Sequence, residues 1–153
     1  MSALKERLRA DLTTALKARE ALTVSTIRLA LGAISTAEVA GTEARELSDE
    51  EVLEILTKEA KKRRESASAF DEGGRPELAQ KERDEAAILA VYLPEALSQE
   101  DVTAIVTAAI EQAGAAGEGM KAMGRVMGLV QPQVKGRADG GFVAAEVKRQ
   151  LGA

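Results

Sequence analysis

The sequence contains no cysteine, no histidine and no tryptophan. Without cysteine there is no disulfide, no thiolate nucleophile and no zinc knuckle, a composition typical of a reducing compartment. Without histidine there is no Ser-His or Cys-His catalytic pair, and the usual general base near neutral pH is missing. We therefore expect no metal site and no cofactor.

A long apolar run is also missing, because the N-terminus MSALKERLRADL is charged from Lys5 onward and no later stretch could span a bilayer. We expect a soluble cytoplasmic protein without a membrane partner. Lys and Arg total 21 against 25 Asp and Glu, which gives a net charge of −4. Since the whole chain does not attract polyanions, any nucleic-acid site must be local.

The spacing of apolar residues along the chain is typical of helices. Aromatic residues are only 2% of the chain, and apolar residues recur every three or four positions, which predicts an all-α fold. Capping boxes are expected at Ser48 and Ser98, a first helical turn at Pro76, and a cap for the last helix at Asp139. The main predicted core stripes are Leu4, Leu8, Leu12 and Leu16; Val24, Ile27, Leu31 and Ile34; Val102, Ile105, Val106, Ala109 and Ala113; Met120, Met123, Met127, Val130 and Val134; and Val143, Val147 and Leu151.

A break near Pro94 to Leu97 divides the predicted helices into two subdomains. Residues 1–94 are expected to form a four-helix unit that carries most of the charge, with its third helix ending near Phe70 and its fourth at Tyr92-Leu93. Residues 95–153 are expected to form a small three-helix bundle rich in glycine and alanine.

Two helices of the first subdomain carry charge on their apolar faces. Stepping 100° per residue places Glu59 and Arg63 on one apolar stripe and Glu82 and Glu85 on another. Because an unpaired buried carboxylate is costly, we expect an interhelical ion network among these four residues. The alternative is a pair of carboxylates that works as an acid and base or holds Mg²⁺.

The stretch from Lys121 to Gly141 collects glycine and positive charge around a single acid, Asp139. Residues 95–118 hold five acids and no Lys or Arg, whereas residues 121–153 hold six Lys or Arg and two acids. Gly124 and Gly128 lie four residues apart, so they either admit a neighbouring helix or let another backbone approach.

The cationic side chains of this stretch suggest a phosphate-binding face. Gly136 is expected to take a left-handed turn from which Lys135 and Arg137 project into water. Without interleaved aromatics for base stacking, such a face suits folded RNA better than a single strand, and no DNA partner is expected. An ordinary solvated surface is the alternative. The candidate RNA-binding residues are Lys121, Gly124, Arg125, Gly128, Lys135, Gly136 and Arg137.

Several blocks in order also resemble a known family. KARE with Arg28, then KRRES, GRPELAQKE, YLPEALS, MGRVMG and VKGRADGG make the chain similar to the GatB/YqeY family over nearly its full length. That family resembles the C-terminal tail domain of the GatB subunit of tRNA-dependent amidotransferases. The resemblance implies two all-helical subdomains and a module that faces tRNA, with Arg125, Lys135, Gly136 and Arg137 on matching blocks.

The resemblance implies no catalytic residues for this chain. Carbon-nitrogen ligation with glutamine as amide donor belongs to other parts of the larger enzyme, and a glutaminase would need a cysteine or a serine-lysine site. Two alternatives stay open. One is an adaptor that joins an amidotransferase or aminoacyl-tRNA synthetase complex through Met120, Met123 and Met127; the other is an enzyme that works through Glu59, Glu82 and Glu85.

Overall fold

A computed structural model describes residues 2–152 and confirms the all-α class. No strand occurs within that range. The helices are α1 (Ala3–Ala18), α2 (Ala21–Glu38), α3 (Asp49–Glu72), α4 (Pro76–Ala90), α5 (Gln99–Ala113), α6 (Met123–Val134) and α7 (Gly140–Gln150), with a short 3-10 helix at Gly119–Ala122. Among the described residues, none of these helices combines the length and the apolar character needed to cross a membrane.

The helix starts follow the capping rules. The Ser48 hydroxyl accepts the Glu51 N–H at 3.2 Å, while the Glu51 carboxylate accepts the Ser48 N–H at 3.4 Å. Ser98 opens α5 with the same reciprocal pair of bonds. The Asp139 carboxylate accepts the Phe142 N–H at 3.0 Å and so starts α7. These caps, and proline at the first position of α4, are confirmed because each satisfies or removes a backbone donor that a helix start leaves open.

The predicted helix ends are less accurate. Helix α3 continues to Glu72, and α4 ends at Ala90 rather than at Tyr92-Leu93. The start of the methionine helix also differs, because a 3-10 turn occupies Gly119–Ala122 before α6 begins. Gly117 and Gly119 both have positive φ, near 80° and 68°, which glycine adopts at no steric cost and which makes this tight entry possible.

The chain divides into two compact units, residues 1–93 and 94–153. The core of the first unit consists of Leu8, Ile27, Ala30, Ile34, Leu47, Val52, Leu56, Ala60, Leu89 and Tyr92. Helices α3 and α4 also meet through small residues: Ala60 and Ala67 on one helix, and Ala79 and Ala86 on the other, are all buried. Their spacing of seven residues repeats one contact face, and alanine lets the two backbones approach closely. Leu16 is 46% exposed, so the first predicted leucine stripe ends before it.

Valine supplies most of the core of the second unit. Its buried residues are Val102, Val106, Ala109, Ile110, Ala115, Ala122, Val126, Val130, Val134, Val143, Val147 and Leu151. The predicted methionine stripe is therefore shifted: Val126 occupies the centre, Met123 and Met127 pack at the edge, and Met120 is 42% exposed. The 3-10 turn takes Met120 out of the register of α6.

Candidate nucleic-acid interface

The outer face of α6 includes two glycines beside the exposed side chains of Arg125, Gln131 and Gln133. Gly124 and Gly128 are exposed, and a Cβ built on either would meet no atom within 4 Å. The packing alternative for these glycines is therefore wrong, because within residues 2–152 no neighbouring helix lies against them. Each glycine costs a helix roughly 0.5–1 kcal/mol of stability relative to alanine. Among the described residues, no gain in packing offsets this cost at Gly124 or Gly128.

Pro132 adds a second feature to the same helix. It lies inside α6 and has no N–H, so it gives nothing to the carbonyl of Gly128, which an ordinary helical residue at position 132 would bond. The Gly128 carbonyl thus lacks its usual helical donor and has no side chain of its own to cover it.

The charge of this region is one-sided. Residues 121–138 contain four Lys or Arg and no acid. Lys121 and Lys135 are exposed at the two ends of this stretch. In a chain with more acids than bases, such a segment concentrates positive potential on one helix.

Arg125 is the first candidate cation that the fold already uses. Its guanidinium pairs with the Glu118 carboxylate, which lies before the 3-10 turn. About half of the Arg125 side chain remains exposed, so the pair sits at the surface. Sequence periodicity gave no sign of it, because the two residues lie seven apart across an irregular turn.

Arg137 is tied to the segment before α5. Its Nε donates to the Glu95 carbonyl at 3.1 Å, and its own carbonyl accepts the Leu97 N–H at 2.7 Å. Gly136 has a φ of 73°, which confirms the predicted left-handed turn and directs Arg137 inward. The expectation that Arg137 projects into water is wrong, because the residue is half-buried and connects the loop before α7 to the segment before α5.

Arg149 belongs to a hydrogen-bonded cluster that joins α5 and α7. It donates to both oxygens of Glu146, a residue that is only 7% exposed. Gln150 donates to the same carboxylate at 2.9 Å and to the Thr103 carbonyl at 3.0 Å. The hydrogen bonds from Arg149 and then Gln150 lower the pKa of Glu146 to about 2, because they stabilise the charged carboxylate.

These contacts sort the cations of the second unit by type. Each of its three arginines has a partner within the fold: Arg125 pairs with Glu118, Arg137 bonds to the Glu95 carbonyl, and Arg149 bonds to Glu146 on its own helix. Its three lysines, Lys121, Lys135 and Lys148, are exposed. Arg125 and Arg149 are exposed as well, so both arginine and lysine contribute charge to this surface, lysine as a compact point charge.

The charged residues of α3 and α4 are brought together around Arg63. Its Nη1 donates to Glu59 at 3.3 Å, and its Nε lies 3.0 Å from a Glu85 oxygen. The contact with Glu85 is ionic only, because its geometry leaves the Nε without a hydrogen bond. All three side chains are about nine-tenths buried. Lys62 reaches Glu59 from the surface at 3.0 Å.

Glu82 lies outside this arrangement. It is half-buried on α4, and within residues 2–152 the structure gives its carboxylate no ion pair. The same described range holds no group of three or more acids placed to bind a metal ion. Arg63 lies between Glu59 and Glu85, and Lys62 at Glu59 and Lys81 at Glu85 supply further positive charge, an arrangement that fits a structural ion network.

Comparisons with known proteins identify the family of this chain. The family model described as Yqey-like protein matches residues 5–151. A curated relative from Pyrenophora tritici-repentis, named "Altered inheritance of mitochondria protein 41, mitochondrial", is 28% identical over 150 residues, which cover 96% of this chain and 80% of the relative. Since the family model spans nearly the whole chain, the protein belongs to the YqeY-like family.

Proposed function

We propose that the second unit binds structured RNA of the tRNA type through the outer face of α6, without catalysing a reaction on it. The observation that carries this proposal is the pair of exposed, unpacked glycines within an 18-residue stretch, residues 121–138, that has no acid. The missing side chains at Gly124 and Gly128 allow a sugar-phosphate backbone to come close at these positions, and the flanking lysines supply charge.

The chemistry of the face favours folded RNA. Residues 121–138 contain no aromatic side chain, so stacking on unpaired bases has no platform here. The Gly128 carbonyl is an acceptor that a ribose 2′-hydroxyl can use, and 2′-hydroxyls line the shallow minor groove of A-form RNA. The relation of the YqeY-like family to the GatB tail domain supports tRNA as the RNA class.

The lysines carry the phosphate contacts in this proposal. Lys121 and Lys135 lie near opposite ends of α6, a helix of 12 residues that spans about 18 Å. Two phosphates along one backbone can therefore be held at once, with Gly124 and Gly128 between them. Arg125 joins them once Glu118 releases it or shares it, whereas Arg137 and Gly136 fix the shape of the loop.

The test is binding of the purified chain to total tRNA over a series of salt concentrations. The Lys121→Ala/Lys135→Ala variant should weaken binding and lower the slope of log affinity against log salt by roughly two, since about one counterion is released per phosphate contact. The matched control is Lys58→Ala/Arg64→Ala, which removes two exposed cations from α3 in the first unit. Equal losses in both variants, or no binding by the wild type, would overturn the proposal.

An adaptor role through the methionines would have little exposed side-chain surface for contact with a partner. Met123 and Met127 pack against the core of the second unit, and of the three only Met120 is exposed. A protein partner from an amidotransferase or synthetase complex would have to bind through Met120 with little support from the other two. Recovery of such a partner after nuclease treatment, with loss on Met120→Ala, is the result that would favour it.

A further inference from the structure

Glu118 brings a negative charge to the basic stretch of the second unit. Residues 95–118 hold five acids and no Lys or Arg, and Glu118 is the last of these acids. Its carboxylate pairs with the guanidinium of Arg125 on α6. Around the helix axis, Arg125 lies about 60° from Gly128 and about 100° from Gly124. One acid thus holds the arginine that borders the two exposed glycines.

The pair uses donors that a phosphate would also use. A guanidinium binds carboxylate and phosphate oxygens through the same planar set of N–H groups. In the free protein, the Glu118 carboxylate therefore occupies a part of Arg125 that could otherwise bind an RNA phosphate. The two anions compete for the same N–H groups.

The pair is open to exchange with an anion from solution. The side chain of Arg125 is 53% exposed and that of Glu118 is 35% exposed, so solvent reaches both partners. Exposed ion pairs contribute little to stability, because water solvates each charge well when the pair is broken. A phosphate whose neighbours on the same RNA backbone are held by lysines can therefore displace Glu118.

The loop that carries Glu118 gives its carboxylate room to leave. Gly117 and Gly119 flank Glu118, both have positive φ, and a Cβ on either would meet no atom within 4 Å. The base of the loop is fixed, because the Glu118 N–H donates to the carbonyl of the fully buried Ala115 at 3.0 Å. Rotation of the Glu118 side chain, or small dihedral changes at the two glycines, separates the pair while this base stays in place.

We propose, on the basis of the RNA-binding function proposed above, that Glu118 is an internal competitor for RNA phosphate at Arg125. In the free chain Glu118 neutralises the arginine. In the complex a phosphate takes its place, and Lys121 and Lys135 hold other phosphates of the same backbone. The free energy needed to break the pair lowers the affinity for RNA, so Glu118 sets how tightly the face on α6 binds.

Glu118→Gln tests this role, because it keeps the size of the side chain and removes the competing charge. The variant should bind total tRNA about threefold more tightly than the wild type at one salt concentration, an effect in the range of an exposed ion pair. The matched control is Glu111→Gln, which removes one exposed acid from α5 in the same unit. It should raise the affinity less, because it leaves the pair of Glu118 with Arg125 intact and changes only the general charge.

The same substitution in an Arg125→Ala chain shows whether Glu118 acts through the arginine. In that background, Glu118→Gln should raise the affinity no more than Glu111→Gln does, because the group for which Glu118 competes is gone. A gain that persists in full without Arg125 would mean that Glu118 repels RNA directly, and would overturn the competitor role.

The side chain of Arg125 also gives a direct readout. In NMR spectra of isotope-labelled protein, the side-chain N–H signals of Arg125 should move when tRNA is added to the wild type, because the guanidinium changes its partner. Signals that stay at their free positions when tRNA saturates the wild type would contradict the exchange of partners.

Two results distinguish the competitor role from RNA binding itself. If the wild type binds tRNA and Glu118→Gln raises the affinity no more than Glu111→Gln, the competitor role is wrong and the RNA-binding face stands. If neither the wild type nor Glu118→Gln binds tRNA, both proposals are wrong.

Discussion

The two units build their interiors from different side chains. The first unit buries Ser2, Lys5, Thr26 and Glu85 among its helices, whereas the buried polar residue described in the second unit is Glu146. The second unit relies on seven buried valines and uses its arginines to tie loops and helix ends together. Charge is also placed differently: α3 and α4 pair it between helices, whereas the exposed Lys121 and Lys135 flank the helix that carries Gly124 and Gly128.

The largest expected effect lies in the charged interior of the first unit. Arg63→Ala should destabilise that unit by about 3 kcal/mol or more, because Glu85 and Glu59 would be left buried without their shared counterion. Urea unfolding followed by circular dichroism measures the loss, and hydrogen exchange should place it in α3 and α4.

A companion variant separates pairing from packing. Glu59→Leu/Arg63→Met/Glu85→Leu replaces the whole network by apolar side chains and should keep most of the stability, since well-packed apolar groups often replace a buried ion pair without loss. If Arg63→Ala alone did not change the free energy of unfolding, the network would make no contribution to stability.

One isosteric exchange made in opposite directions sharpens the comparison. Thr26 is 1% exposed, and its hydroxyl has no hydrogen-bond partner among the described residues. Thr26→Val should stabilise the first unit by about 1 kcal/mol, whereas Val130→Thr should destabilise the valine core of the second by about 1–3 kcal/mol. Thermal unfolding of both variants measures whether each substitution stabilises or destabilises the protein. A loss of stability in Thr26→Val would mean that water or an unseen acceptor satisfies its hydroxyl.

The smallest effect appears only in acid. The pKa of Glu146 is lowered to about 2 from 4.5, chiefly by the Arg149 hydrogen bonds. The unfolded carboxylate takes up its proton near pH 4.5 and the folded one only near pH 2, so the folded state loses stability as pH falls between these values. In Glu146→Gln, the stability of α5 and α7 should vary less with pH between about 4.5 and 2. The pH dependence of stability near neutral pH should stay the same.

Glu51 provides the matching control in the first unit. Arg45 and the Ser48 N–H lower its pKa to about 2 as well, so the acid loss of stability in the first unit should persist in Glu146→Gln. Hydrogen exchange at several pH values separates the two units. An unchanged acid response of α7 in that variant would contradict the role given to Glu146.

The features that were predictable from sequence are local ones. The caps at Ser48, Ser98 and Asp139 depend on residues three positions apart, so the pattern that predicts them is also the pattern that makes the bond. The all-α class follows from periodicity in the same way. The inward positions of Glu59 and Arg63 come from the same 100° step.

The features that sequence could not supply are contacts across turns. Glu118 reaches Arg125 over a 3-10 turn, and Arg137 reaches the Glu95 carbonyl 42 positions away. No spacing rule encodes either contact, so two predicted phosphate ligands are engaged within the fold. Gly124 and Gly128 illustrate the reverse case, since their spacing is compatible with helix packing and the structure shows that no other described residue packs against them.

The most direct test of the RNA-binding face uses these two glycines. Gly124→Ala/Gly128→Ala should raise the free energy of unfolding by about 0.5–1 kcal/mol per site, because α6 gains helix propensity and the new methyl groups meet no neighbour. If RNA backbone approaches this surface, the same variant should bind tRNA about tenfold more weakly, or about 1.4 kcal/mol. Higher stability with weaker binding is the predicted result, and higher stability with unchanged binding would contradict the account.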